Sequence, residues 1–225
     1  MKNLFKALVA MCAMSMASGV GAGVIQTFSD ETLFSEQVQL ITTEDFESHT
    51  YTPSACGDGG VSTFVGSQFS AELIPNGSGI AYLCVDPTPA SQPTPQGALG
   101  LEIGATDSWV MNFDLTVPGV NAISMLLTDI AENNGDALLR LPGEADVAIA
   151  ECCLPDGSSI FFGFITDSPV SSFSLVNTGT FDGWGLDNVQ LATTSVPEPT
   201  TTALLALGLF GAGLGFRRRR VPNTL

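Results

Sequence analysis

Few side chains here are placed to hold a reacting proton, a metal or a nucleophile. The chain has one histidine, His49, so a serine nucleophile has one imidazole to serve as its base. No serine sits in a Gly-x-Ser-x-Gly frame; Gly66-Ser67 and Gly77-Ser78 both lack it. His49 lies in a polar stretch after Glu47, the setting of an exposed histidine. Paired carboxylates can hydrolyse glycosides, but among 23 acids some pairs fall close by chance. One histidine and no Cys-x-x-Cys spacing leave zinc without its usual ligands. The expectation is a protein that is not an enzyme, with a metal-dependent hydrolase as the remotest alternative.

Two constellations carry non-catalytic chemistry. In Leu186-Asp187-Asn188-Val189-Gln190-Leu191, strand alternation sets Asp187 on the face of Val189 and Leu191. A carboxylate buried there needs compensation. Calcium, which takes six to eight oxygens, is one source, with Asp45 and Glu47 of an opening strand as co-ligands and Phe46 on the opposite face. The competing reading has Asp187 and Asn188 bonding the local backbone, and no cofactor at all. The second constellation is aromatic. Trp109 alternates with Met111 and Phe113 on a core face, whereas Trp184 follows Asp182-Gly183 at a turn, free to stack on a sugar ring. That makes a carbohydrate-binding module the main alternative to a structural or adhesive role.

Apart from both ends of the chain, the basic residues reduce to Arg140. From 23 to 199, one arginine against 23 acids gives a formal charge of −22. Such a field repels nucleic acid and anionic polymers and favours solubility. Cys56, Cys84, Cys152 and Cys153 lie in this body, an even count that permits three disulfide connectivities. Cys56–Cys84 is favoured because each borders a Gly- or Pro-rich loop. Cys152 and Cys153 are then free or a strained adjacent pair, and their cross-pairing with Cys56 and Cys84 stays open.

The elements that must position these residues are strands. Ser29 and Asp30 can cap one short amphipathic helix carrying Leu33, Phe34, Gln37 and Val38. Strand signals then follow at Ile41–Phe46, Val61–Val65, Phe69–Ile74, Ile80–Val85, Ala98–Ile103, Ser108–Val117, Ala122–Ile130, Ala137–Leu141, Asp146–Cys152, Ile160–Ile165, Ser171–Val176 and Gly185–Leu191. Turn chemistry separates many of them, as at Pro118-Gly119, Pro142-Gly143 and Pro155-Asp156-Gly157. The pattern predicts one all-β domain over 23–195, an antiparallel, jelly-roll-like β-sandwich, with an immunoglobulin-like sandwich as the runner-up.

Both ends of the chain concern transport. Lys2 and Lys6, the apolar stretch Ala7–Ala17, and Val20 and Ala22 before Gly23 read as a cleaved secretory signal over 1–22, handled by the Sec translocon and signal peptidase. Residues 196–225 are a tail: Pro197-Glu198-Pro199, an uncharged run over 200–216, then Arg217, Arg218, Arg219 and Arg220. The run is long enough to span a bilayer as a helix, at the short end of the range. Four arginines resist translocation and hold the C-terminus cytoplasmic, stopping transfer there. The Pro-Glu-Pro, the apolar span and the arginine cluster together resemble the PEP-CTERM sorting signal of Gram-negative bacteria that make exopolysaccharide. Thr27-Phe28-Ser29-Asp30, Glu44-Asp45-Phe46-Glu47 and Phe181-Asp182-Gly183-Trp184-Gly185-Leu186-Asp187-Asn188-Val189 resemble the opening and closing of exported bodies in that group, without an assigned activity. The resemblance implies an exosortase as processing partner, temporary retention in the inner membrane, and then a place at the cell surface or outside the cell near exopolysaccharide.

Overall fold

The computed structural model describes residues 23–50, 62–77, 81–86, 100–131, 135–155, 157–180 and 183–194. The chain divides between Thr193 and Thr194 into two units, and the elements below belong to the first. In order they are β1 (Val24–Phe28), α1 (Glu31–Ser35), β2 (Gln39–Glu44), β3 (Thr63–Val65), β4 (Phe69–Pro75), β5 (Ala81–Asp86), β6 (Gly100–Ala105) and β7 (Trp109–Leu115). Then come β8 (Ala122–Thr128), β9 (Ala137–Arg140), β10 (Val147–Ala150), β11 (Ser159–Thr166), β12 (Ser172–Asn177) and β13 (Trp184–Thr193).

Two antiparallel sheets face each other. One has seven strands in the order β1-β11-β8-β13-β6-β5, with β2 joining through β13; the other has six, in the order β10-β9-β12-β7-β4-β3. The chain crosses repeatedly between them, which makes the body the all-β, jelly-roll-like sandwich that the strand signals predict. Alternation explains the core. Trp109, Met111 and Phe113 of β7 and Phe69, Ala71 and Leu73 of β4 point inward and are almost fully buried. They meet Leu101, Ile103, Ile123, Met125, Leu127, Phe164 and Leu186 from the seven-stranded sheet. Burying each such large side chain contributes about 1.5–3 kcal/mol.

β8 is buried along nearly its whole length because both of its faces are covered. Its outer side, with Ala122, belongs to a second cluster containing Phe28, Phe34, Ile165 and Ala192. The short helix supplies that cover. Asp30 caps it, accepting a hydrogen bond from the Leu33 N–H at 3.0 Å, and Phe34 is wholly buried. Phe34 lies edge-on to Phe28 and over Gly163, where an added Cβ would stand 2.8 Å from the ring.

Three sequence expectations need correction. β1, where the sequence shows no strand signal, pairs with β11 through a register shift between Val24 and Gln26. The opening strand ends at Glu44 and not at Phe46: Phe46 has φ 58°, and the His49 N–H returns to its carbonyl at 3.0 Å. Asp45 and Glu47 therefore do not share a strand face. In β13 the pairing with β8 slips between Asp187 and Gln190, and Asn188 takes φ 49°. This bulge inserts one residue and breaks the two-residue alternation. Leu186, Val189 and Leu191 face the core, while Asp187 pairs with Leu126 on the outer side.

Candidate binding cleft

Residues that point inward on one sheet leave alternate residues pointing out. On the six-stranded sheet the outward set falls into rows, because cross-strand partners share a face. Glu72 pairs with Asn112, Asn112 with Ser174, and Ser174 with Arg140. Three inter-strand steps make this polar row about 14 Å long. Beside it runs Ser70–Asp114–Ser172. On its other side lies an apolar row, Ile74–Val110–Val176–Leu138.

The polar rows floor an open cleft of about 420 Å³ whose lining includes Glu72, Asn112, Asp114, Arg140, Glu144 and Ser174. One wall is the turn Leu141-Pro142-Gly143-Glu144. Gly143 has φ 83°, and the Glu144 N–H donates to the Leu141 carbonyl at 3.2 Å. Proline followed by a positive-φ glycine is the sequence signature of a type II turn. Leu141 is buried and pins the turn to the core.

Arg140, the one lysine or arginine among the described residues, stands at the end of the polar row. Its Nε and Nη2 donate to Oδ1 and Oδ2 of Asp146 at 2.8 and 2.7 Å. These hydrogen bonds hold the Asp146 carboxyl below the usual carboxylate range and raise the guanidinium above its own. Ser174 Oγ donates to Asn112 Oδ1 at 2.8 Å. The Asn112 amide nitrogen and the carboxylates of Glu72 and Asp114 have no hydrogen-bond partner among the described residues, so they remain available to a ligand.

The residues singled out from sequence lie elsewhere. Trp184 is not a stacking platform: it is 1% exposed, because its alternation with Leu186 turns it into the core against Trp109. Glu44 is buried and accepts from the Phe46 N–H at 3.0 Å, and His49 Nε2 stands 3.3 Å from the same oxygen. The His49 ring packs against Phe64, with centroids 5.0 Å apart. Asp45 accepts from the Glu47 N–H at 3.2 Å, and buried Asp187 accepts from the Asn188 N–H at 2.6 Å. Both acids thus accept hydrogen bonds from the local backbone. Among the described residues no group of three or more His, Cys, Asp or Glu side chains gathers to hold a metal, so Asp45, Glu47 and Asp187 do not come together.

Cys152 and Cys153 are bonded to each other across a cis peptide, not cross-paired with Cys56 and Cys84. Cys84 is also in a disulfide; Cys56 lies outside the described residues. So do the signal segment 1–22 and the tail with Pro197, Glu198, Pro199 and Arg217–Arg220. Among the described residues no helix is long and apolar enough to cross a membrane, and the expected span 200–216 is not among them.

The cleft residues Glu72, Asn112, Asp114 and Ser174 drew no attention in the sequence. Their signal was the outward phase of β4, β7 and β12, which gives a face but not which distant strands adjoin.

No curated protein matches the chain. Among solved structures, the C-terminal family 22 carbohydrate binding module of Clostridium thermocellum Xyn10B is similar at 11% identity, over 69% of this chain and 95% of that one, with a TM-score of 0.43. The K2 cleaved adhesin domain of Lys-gingipain matches at 10% identity, over 67% and 98%, with a TM-score of 0.44. The family 11 carbohydrate-binding module from Clostridium thermocellum matches at 12%, over 79% and 98%, with a TM-score of 0.37. Likenesses this distant say nothing of this chain's ligands. The tail is a different matter: residues 195–220 match the PEP-CTERM protein-sorting motif, and the chain therefore carries that motif after its β-sandwich.

Proposed function

We propose that this is an exported protein which its C-terminal tail delivers to the cell surface or extracellular matrix, where the sandwich has a structural or adhesive, non-catalytic role in the exopolysaccharide layer. The observation that carries this reading is the PEP-CTERM match at 195–220. Within it, Pro197-Glu198-Pro199 is the element an exosortase would read. The uncharged run 200–216 holds the chain in the inner membrane, and Arg217–Arg220 keep the end cytoplasmic until processing. The signal over 1–22 engages the Sec translocon and is removed by signal peptidase. The acidic body suits a soluble extracellular domain. His49 supports a non-catalytic reading, since Glu44 and Phe64 hold it in a packed position.

A carbohydrate-binding module is the second reading, favoured by the open polar cleft on the six-stranded sheet.

The intact mass of the protein found outside the inner membrane tests the sorting. It should lack both 1–22 and Arg217–Arg220, and replacing Pro197-Glu198-Pro199 with alanines should leave the protein in the inner membrane. A mature form outside that membrane that still carries the arginine cluster overturns the reading.

A further inference from the structure

We propose that the outer face of the six-stranded sheet binds an uncharged polyhydroxylated polymer, a neutral glycan chain laid across the strands along Glu72, Asn112, Ser174 and Arg140. The inference deepens the surface-and-matrix reading and rests on it.

The direction of the row comes first. It runs across β4, β7, β12 and β9, whose backbone groups are already joined in ladders. An extended peptide gains its affinity by adding to a sheet edge through main-chain hydrogen bonds. A ligand lying on this face is recognised by side chains alone.

The side chains then define the ligand's chemistry. Glu72 and Asp114 only accept, the Asn112 amide nitrogen only donates, and the Ser174 hydroxyl, its proton given to Asn112 Oδ1, accepts. These groups alternate within a few ångströms, with the first three unpartnered among the described residues. A hydroxyl donates and accepts, so a chain of hydroxyls can answer every position in turn. A ligand of acceptors alone leaves the carboxylates unmatched.

Charge narrows the class further. Arg140 is already neutralised by its two bonds to Asp146, which leaves Glu72, Asp114 and Glu144 as net negative charge in the cleft. The whole body adds to that sign. A uronic acid polymer or a phosphate chain is therefore repelled.

The neighbouring apolar row supplies the other half of the recognition. Ile74, Val110 and Leu138 run parallel to the polar row and are partly or well exposed, Ile74 by 41%, while Val176 between them is buried. Sugar rings have hydroxyl edges and C–H faces, and the two rows present a matching pair of surfaces. The cleft's volume falls within the range of small-molecule sites, roughly 300–1,000 Å³, so it holds a short stretch of a longer chain.

The test uses the full chain in mild detergent, run in native gels cast with dextran, galactomannan or mixed-linkage β-glucan, and in parallel with alginate or polylysine. The expected result is retardation by at least one neutral polymer and none by alginate. Glu72→Ala and Asn112→Ala should each weaken that binding about tenfold, the equivalent of one hydrogen bond to a ligand. Unchanged thermal midpoints establish that the variants are folded. Asn112→Asp, which keeps the volume and turns the donor into a charged acceptor, replaces a variant whose midpoint falls. Mobility unaffected by every neutral polymer, equal retardation of wild type and variants, or retardation by polylysine alone each overturn the proposal. None of these outcomes touches the sorting reading, which fails separately, on the mass and location of the mature protein.

Discussion

Trp109 and Trp184 meet edge to face between the two sheets, with ring centroids 4.5 Å apart and planes inclined at 70°. One comes from the six-stranded sheet and the other from the seven-stranded sheet, so the pair ties the two layers directly. Both are essentially excluded from solvent. Trp184→Ala should cost about 3–5 kcal/mol, and Trp184→Phe distinctly less. Urea unfolding followed by circular dichroism measures both. A Trp184→Ala variant within 1 kcal/mol of the wild type, on the order of a surface substitution, would contradict this placement.

Two glycines should differ in their tolerance of a methyl group. At Gly163 an added Cβ would meet the Phe34 ring, which can tilt away; at Gly135 it would meet the backbone of Gly179 and Thr178. Gly163→Ala should cost about 1–2 kcal/mol and loosen α1, while Gly135→Ala should reach about 3 kcal/mol, because backbone must move. Equal denaturation midpoints for the two variants would refute the distinction.

The Arg140–Asp146 pair gives a prediction with a sign. The folded state holds the Asp146 carboxyl below its ordinary range. Its contribution is therefore full above the unfolded carboxylate value and disappears as pH falls through the lowered folded value. Both side chains are substantially solvent-exposed, so the contribution is about 0–1 kcal/mol and weakens with salt. Asp146→Asn should lower the thermal midpoint by at most about 3 °C at pH 7. The difference from wild type should close in strong acid; a gap that widens on acidification would show the pairing to be wrong.

How much of this could be read from sequence depends on the range of the interaction involved. Trp109-Val110-Met111-Asn112-Phe113 declares its two faces locally, and the structure buries the odd positions. Asp30 and Phe34 announce α1 within five residues. Pro142-Gly143 announces its turn. The bulge at Asp187–Asn188 does not announce itself, because an asparagine with positive φ looks like any other polar residue in a strand until the partner's register is known. That single inserted residue turned the expected calcium ligand away from the face of Val189 and Leu191. Trp184 misled for a related reason: a preceding turn suggests exposure, but the outcome is set by Trp109, far away in sequence. The cleft was the least legible part. Glu72, Asn112, Ser174 and Arg140 become neighbours only through three separate strand pairings.

The position of β13 constrains the order of events during export. It lies between β8 on one side and β6 and β2 on the other, and β2 has no other strand partner among the described residues. Until residues 184–193 are available, β2, β6 and β8 wait with open edges, the state in which strands find wrong partners. The seven-stranded sheet thus closes last, around the strand that immediately precedes the sorting tail. A chain truncated before Trp184 would be left with an unclosed sheet.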